Sequence, residues 1–185
     1  MLTTWILLAL LLFWAVGAYN RLIRLRSAAL QAFGGLDTHM VRWIALLGEY
    51  EAARGTPPPD DCHAALRAAA TQFGASLAVA RARPLDAGTA DALTAAAQVL
   101  ETAWQAVVRQ ATLADENPAA QREPTDTTEP PALAPWVQRR EQLAQHCAQA
   151  QQVFNDAVVQ YNQAIAQFPA NLLAWLFGFK KAQTL

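Results

Sequence analysis

The sequence predicts an all-α protein, in which an N-terminal transmembrane helix continues into an antiparallel up-and-down four-helix bundle. Three observations predict it. Leu2 to Ala18 is almost wholly apolar, and no charged residue precedes Arg21. The ten prolines fall in a few clusters, leaving four long proline-free intervals; proline removes a helical hydrogen bond and clashes with the preceding turn, so these intervals are the candidate helices. Within them apolar residues recur at spacings of three and four, and no alternating strand pattern of useful length occurs.

Residues 1–19 read as the transmembrane helix. At 1.5 Å per residue, about 17 to 20 residues reach roughly 25 to 30 Å, enough for the hydrocarbon core of a thin bilayer. Trp5, Trp14 and Tyr19 stand where the span would meet the headgroup zones. Arg21, Arg24 and Arg26 follow immediately, and the positive-inside bias places that flank in the cytoplasm, with the amino terminus outside. A signal peptide is the rival reading, since Val16-Gly17-Ala18 resembles a cleavage site. A signal carries positive charge before its apolar run, however, and here that region is Met1-Leu2-Thr3-Thr4.

The cytoplasmic body comprises residues 20–114 (three helices), a Pro-rich polar loop 115–135, a fourth helix 136–168 and an apolar tail 169–185. The first helix carries Leu22, Leu25, Ala29, Phe33, Leu36, Met40, Ile44, Leu47 and Tyr50 on one stripe and runs to Arg54. Nothing breaks the chain between it and the span, although Gly34-Gly35 costs about 1 kcal/mol per glycine and is a place for a kink. Asp60 or Asp61 caps a second helix with the stripe Leu66, Ala70, Phe73, Leu77 and Ala80. Asp86 or Thr89 opens a third, with Leu93, Ala97, Leu100, Trp104, Val107 or Val108, and Ala111. The loop Asp115 to Pro135 is polar, rich in proline and without period. The fourth helix places Trp136, Leu143, Cys147, Ala150, Phe154, Ala157, Tyr161, Ile165 and Phe168 near a heptad spacing, which suits shallow antiparallel packing. Pro169 ends it and starts a new short helix.

Composition excludes several classes. Fourteen Lys plus Arg stand against fifteen Asp plus Glu, so the net charge of −1 gives no basic surplus for holding a nucleic-acid backbone. Two cysteines cannot build a disulfide framework. Cys62-His63 and His146-Cys147 together offer a zinc ligand set, yet adjacent helical residues point about 100° apart and neither pair can present both side chains to one ion. Their expected roles are a small core thiol beside a surface imidazole, and His39 is expected on a bundle face. Asp60-Asp61 and Asp115-Glu116 fall at helix starts and in a loop, where capping and the helix dipole account for them. No nucleophile elbow, zinc-protease motif or phosphate loop is present. No cofactor, metal or catalytic residue is expected.

Phe154-Asn155-Asp156-Ala157-Val158-Val159-Gln160-Tyr161-Asn162, followed by Ile165, Phe168-Pro169-Ala170-Asn171 and Leu176-Phe177-Gly178-Phe179, resembles the carboxy-terminal signature of the LemA family. Tyr19-Asn20-Arg21-Leu22-Ile23-Arg24-Leu25-Arg26 is similar to the segment that follows the single amino-terminal span in the same family. The resemblance implies a bacterial inner-membrane protein with a cytoplasmic antiparallel helical bundle, without established catalysis. It also implies kinship with proteins tied to membrane organisation, including a magnetosome protein. The signature residues Asn155, Tyr161, Asn162, Phe168, Pro169, Asn171, Trp175, Phe177, Gly178 and Phe179 are the expected contact positions.

Leu172, Leu173, Trp175, Leu176, Phe177 and Phe179 surround a helix completely, and one core cannot take every side. Closure of the bundle end, a membrane-surface anchor with Lys180 and Lys181 at the headgroups, and a subunit contact are the three readings. The expected function is a non-enzymatic, membrane-anchored scaffold that self-associates as a homo-oligomer and organises or shapes the inner membrane, with the lipid bilayer as its partner. The alternative is a membrane-tethered signalling or adaptor module whose loop Asp115 to Pro135 recruits a soluble partner.

Overall fold

Nothing interrupts the first helix. In the computed structural model, which describes residues 2–55, 61–116, 133–168 and 170–185, α1 (Leu2–Arg54) is one helix of 53 residues, about 80 Å long. Gly34 and Gly35 sit inside it without a break, and the Thr38 hydroxyl donates to the Gly34 carbonyl at 3.0 Å. The flanking turns hold their hydrogen bonds and the inward residues Phe33 and Leu36 are packed on both sides of the pair. Tertiary burial thus outweighs the glycine penalty. The first part of α1 is long and apolar enough to cross a membrane. It stands clear of the rest of the chain, with Leu7, Leu10, Leu11, Leu12 and Phe13 all exposed.

The remaining described elements are α2 (Asp61–Ala82), α3 (Ala87–Glu116), α4 (Ala134–Ala166) and α5 (Ala170–Leu176). Among the described residues there is no strand. Ring contacts set the register of α1 against α4: Phe33 meets Phe154 at 5.8 Å, His39 meets His146 at 5.7 Å and Tyr50 meets Trp136 at 5.8 Å. Numbers rise along α1 as they fall along α4, so the pair is antiparallel. Helix α2 is also antiparallel to α1, with Trp43 against Phe73 at 5.4 Å and the Arg81 guanidinium on the Asp37 carboxylate at 2.7 Å. The α2–α3 hairpin therefore turns back level with Asp37. Residues 20–36 of α1, about 25 Å of helix, continue past it together with the end of α4.

The core is one cluster, with Phe73, Leu100, Phe154, Val158 and Ala29 wholly enclosed. The stripes read from the sequence supply most of it. Trp43, Val158 and Ala164 join it as well, and Ala69 and Ala96 face inward where Ala70 and Ala97 are half-buried. Arg140 of α4 pairs with Glu101 of α3 and lays its guanidinium 4.2 Å over the Trp43 ring, so one cation ties three helices.

Boundaries differ from the expectation on both sides of the loop. Helix α3 keeps Asp115 and Glu116 within its last turn, and α4 begins at Ala134, because Pro135 falls in a first turn where its missing N–H has no partner to lose. Residues 117–132 of the expected loop, and the capping candidate Asp60, lie outside the described residues. Asp61 is the first residue of α2. Asp86 stands just before α3 and accepts the Ala90 N–H at 3.1 Å. Thr89 donates to the carbonyls of Arg83 and Asp86 at 2.7 and 2.8 Å, closing the tight connection.

His63 is a correction. It was expected at the surface beside a core thiol, but it is buried, with its Nε2 3.0 Å from the Tyr50 hydroxyl and its ring stacked on the Tyr50 ring. A hydroxyl partner offsets the cost of taking an imidazole out of water, and Cys62 takes the half-buried position.

Candidate functional site at the foot of the bundle

Three pieces of chain converge where α1 leaves the bundle: Tyr19 to Arg26 of α1, the end of α4, and α5 with the tail that follows. Helix α4 stops at Ala166, and Gln167 is extended at φ −71° and ψ 132°. The proline at position 169 has no N–H to return to Ile165, so the helix cannot propagate. Pro169 itself lies outside the described residues. The Asn171 N–H bonds back to the Gln167 carbonyl at 2.9 Å, and α5 begins.

Helix α5 ends in a Schellman motif. The Phe179 N–H reaches the Ala174 carbonyl at 2.8 Å and the Gly178 N–H reaches Trp175 at 3.4 Å, with Gly178 left-handed at φ +70°. Only glycine adopts that backbone without a Cβ penalty, which is the physical content of the Gly178-Phe179 pair. The turn brings Phe177 and Phe179 onto Tyr19, at 4.8 and 6.1 Å between ring centroids.

Beyond Gly178 the chain runs extended along α4, held by two asparagines. The Asn162 amide donates to the Ala182 carbonyl at 2.7 Å and accepts the Ala182 N–H at 2.9 Å. Asn155 makes the same pair with Leu185, at 2.9 Å in both directions. The spacing follows from geometry. Seven residues of helix rise about 10.5 Å, and three residues of extended chain span about 10 Å, so asparagines two turns apart meet residues three apart in the tail. The Tyr161 hydroxyl donates to the Lys180 carbonyl at 3.1 Å, and Gln183 reaches Asp91 of α3 at 2.5 Å. Ala182 is buried in the core cluster and Leu185 packs against it. The tail thus covers the stretch of α1 and α4 that the short α2–α3 hairpin leaves open.

The foot also presents apolar surface. Leu172, Trp175 and Leu176, at spacings i, i+3 and i+4, form the outer face of α5, with Phe168 one turn before; Trp175 is 84% exposed and Phe168 79%. Ala174 is buried on the inner face. Between this foot and the apolar part of α1 lies a cleft of about 980 Å³, lined by Leu10, Trp14, Gly17, Ala18, Phe168 and Ala170. Trp5 and Trp14 are exposed along α1, and Arg21, Arg24 and Arg26 are exposed just below them. Asn171 is exposed.

Of the expected contact positions, the structure brings Asn155, Tyr161, Asn162, Phe177, Gly178 and Phe179 together in one assembly, which Tyr19 of the expected headgroup-zone residues joins through Phe177 and Phe179. Phe168, Trp175 and Asn171 point outward. The sequence reading missed Ala182, Gln183 and Leu185 as the segment that the asparagines hold. Two Asn seven apart beside an inward-facing helical stripe was the available signal. Burial pushes the Tyr161 hydroxyl above its usual range, against the opposing charge of Arg26. Among the described residues, no group of three or more His, Cys, Asp or Glu is placed to hold a metal ion. Cys147 is half-buried, and desolvation raises its thiol pKa against the opposing pull of Arg140.

The LemA family model matches residues 137–185, which take in most of α4, α5 and the tail, and the match supports a LemA family protein. Tyr19 to Arg26 lies outside the matched segment. Comparison with curated proteins and with solved structures returns no match.

Proposed function

We propose, on the premise of a LemA family protein, that this chain is a non-enzymatic scaffold anchored in the bacterial inner membrane by α1, whose copies associate to organise or shape the bilayer. The observation that carries this reading is α1: one unbroken helix that is apolar and bare at its start and packed along one face in the bundle towards its end. A rigid rod of this kind fixes the bundle's position relative to the bilayer, where a flexible linker would leave it free. Exposed arginines directly after the apolar part orient the bundle to the cytoplasm. The outer face of α5 then lies at the headgroup level, where Trp175 and its neighbours gain about 1.5 to 3 kcal/mol for each large side chain removed from water. The polar groups at the foot hold the tail, which suits a structural role. Mass measurement of the full-length protein in detergent micelles tests the reading. Multiple copies per particle are expected, and a monodisperse monomer across detergents contradicts self-assembly.

A further inference from the structure

Beside the foot, on the flank of α1 carrying Tyr19 and Arg26, lies a second cleft of about 500 Å³. Its lining includes Tyr19, Arg26, Ser27, Tyr161, Phe177 and Lys180, and is about as polar as it is apolar. No acidic residue lines it, and none occurs in residues 1–36 or 157–185. Arg26 and Lys180 are both exposed, and the Lys180 carbonyl accepts from the Tyr161 hydroxyl.

From these groups we infer that the cleft binds the phosphate of an anionic phospholipid, with Arg26 and Lys180 as its cationic grips and Ser27 as a hydroxyl donor. The position suits that ligand. Arg26 lies seven residues beyond Tyr19, about 10 Å along the helix, and helical side chains lean toward the amino end, so its guanidinium reaches back toward the level of Tyr19. The headgroup zone extends roughly 5 to 7 Å beyond the hydrocarbon core, and this places both cations within it. Aromatic walls from Tyr19 and Phe177 then stand at the boundary between headgroup and acyl chain, where amphipathic rings are favoured. Cations on two segments far apart in sequence meet here only because Asn162 and Tyr161 hold the tail in place. The bound phosphate would therefore clamp tail, foot and span together.

The inference rests on the proposed membrane placement of α1, and the experiment separates the two. Full-length protein in mild detergent is titrated with phosphatidylglycerol, with phosphatidylcholine and with inorganic phosphate, and bound ligand is counted by native mass spectrometry. Phosphatidylglycerol is expected to be retained over phosphatidylcholine and to resist millimolar phosphate. The double substitution Arg26→Gln with Lys180→Gln is expected to weaken retention by about twenty- to thirtyfold, roughly fivefold for each cation. Arg26→Lys should keep most of the binding, and Arg42→Gln, on the exposed side of α1 away from the foot, should change nothing. Circular dichroism checks folding, and if the double variant loses helicity the Arg26→Gln and Arg26→Lys pair carries the comparison. Equal retention of the two lipids, unchanged retention in the variants, or full displacement by inorganic phosphate would each overturn the lipid site. Alkaline extraction of the protein from vesicles would instead overturn the membrane placement.

Discussion

Replacing both Asn155 and Asn162 by alanine should release the tail while leaving the bundle folded. Each asparagine makes two hydrogen bonds to one tail residue, four in all. A net contribution of about 0.5 to 1.5 kcal/mol per bond gives roughly 2 to 6 kcal/mol for the pair. Ala182 and its neighbours bury little apolar area in compensation, since only Ala182 of residues 180–185 is buried. A loss of about 2 kcal/mol already raises the undocked population roughly thirtyfold. The peptide bonds following Lys180 and Lys181 report on it, because trypsin requires an extended chain free of its hydrogen-bonded partners. When undocking is faster than cleavage, the cleavage rate follows the open population. The double variant should therefore be clipped at Lys180–Lys181 at least tenfold faster than the wild type, with amide exchange at Ala182 and Leu185 accelerating in parallel and far-ultraviolet circular dichroism unchanged. Equal cleavage and exchange in the two proteins would refute the clamp.

Tyr161→Phe removes the bond to the Lys180 carbonyl and should cost about 1 kcal/mol at neutral pH, measured by denaturant unfolding. Burial raises the Tyr161 pKa, so the folded state favours the neutral phenol. That contribution is present below the ordinary tyrosine pKa of about 10 and is lost as pH rises through the higher folded value, so the wild type should lose more stability than the variant in strong alkali. Gly178→Ala should destabilise the foot by about 1 to 2 kcal/mol, because φ is +70° there, seen as faster exchange at the Phe179 N–H. Phe73→Ala should cost about 3 to 5 kcal/mol in global unfolding, since the ring is wholly buried against Trp43. Trp175→Ala with Leu176→Ala should preserve helicity and lower vesicle retention of a span-deleted variant; unchanged retention would place that face against something other than lipid.

The sequence carried the helices because burial follows a 3.6-residue period: Leu66, Phe73, Leu77, Leu93, Leu100 and Trp104 were all legible as inward positions and all are buried. The length of the α2–α3 hairpin relative to α1 and α4 was not. It depends on which turn of one helix meets which turn of another, and that register is set by pairs such as Trp43 with Phe73 and Asp37 with Arg81. His63 was misplaced because its burial depends on Tyr50, thirteen residues away on another helix. At the foot, Gly178 and the two asparagines were visible as positions, yet their work was not. The bonds of Asn155 and Asn162 go to backbone atoms of Ala182 and Leu185, and no side-chain pattern at 182 and 185 advertises a hydrogen bond made by the main chain.

In the proposed scaffold the protein assembles on a bilayer with α1 through it and the foot against it. Electron cryomicroscopy of the full-length protein reconstituted into vesicles tests this most directly. Clustered copies are expected, each with helical density continuing from the bilayer into the bundle and with α5 at the headgroup layer. Isolated single copies, or bundles held well away from the membrane surface, would contradict it.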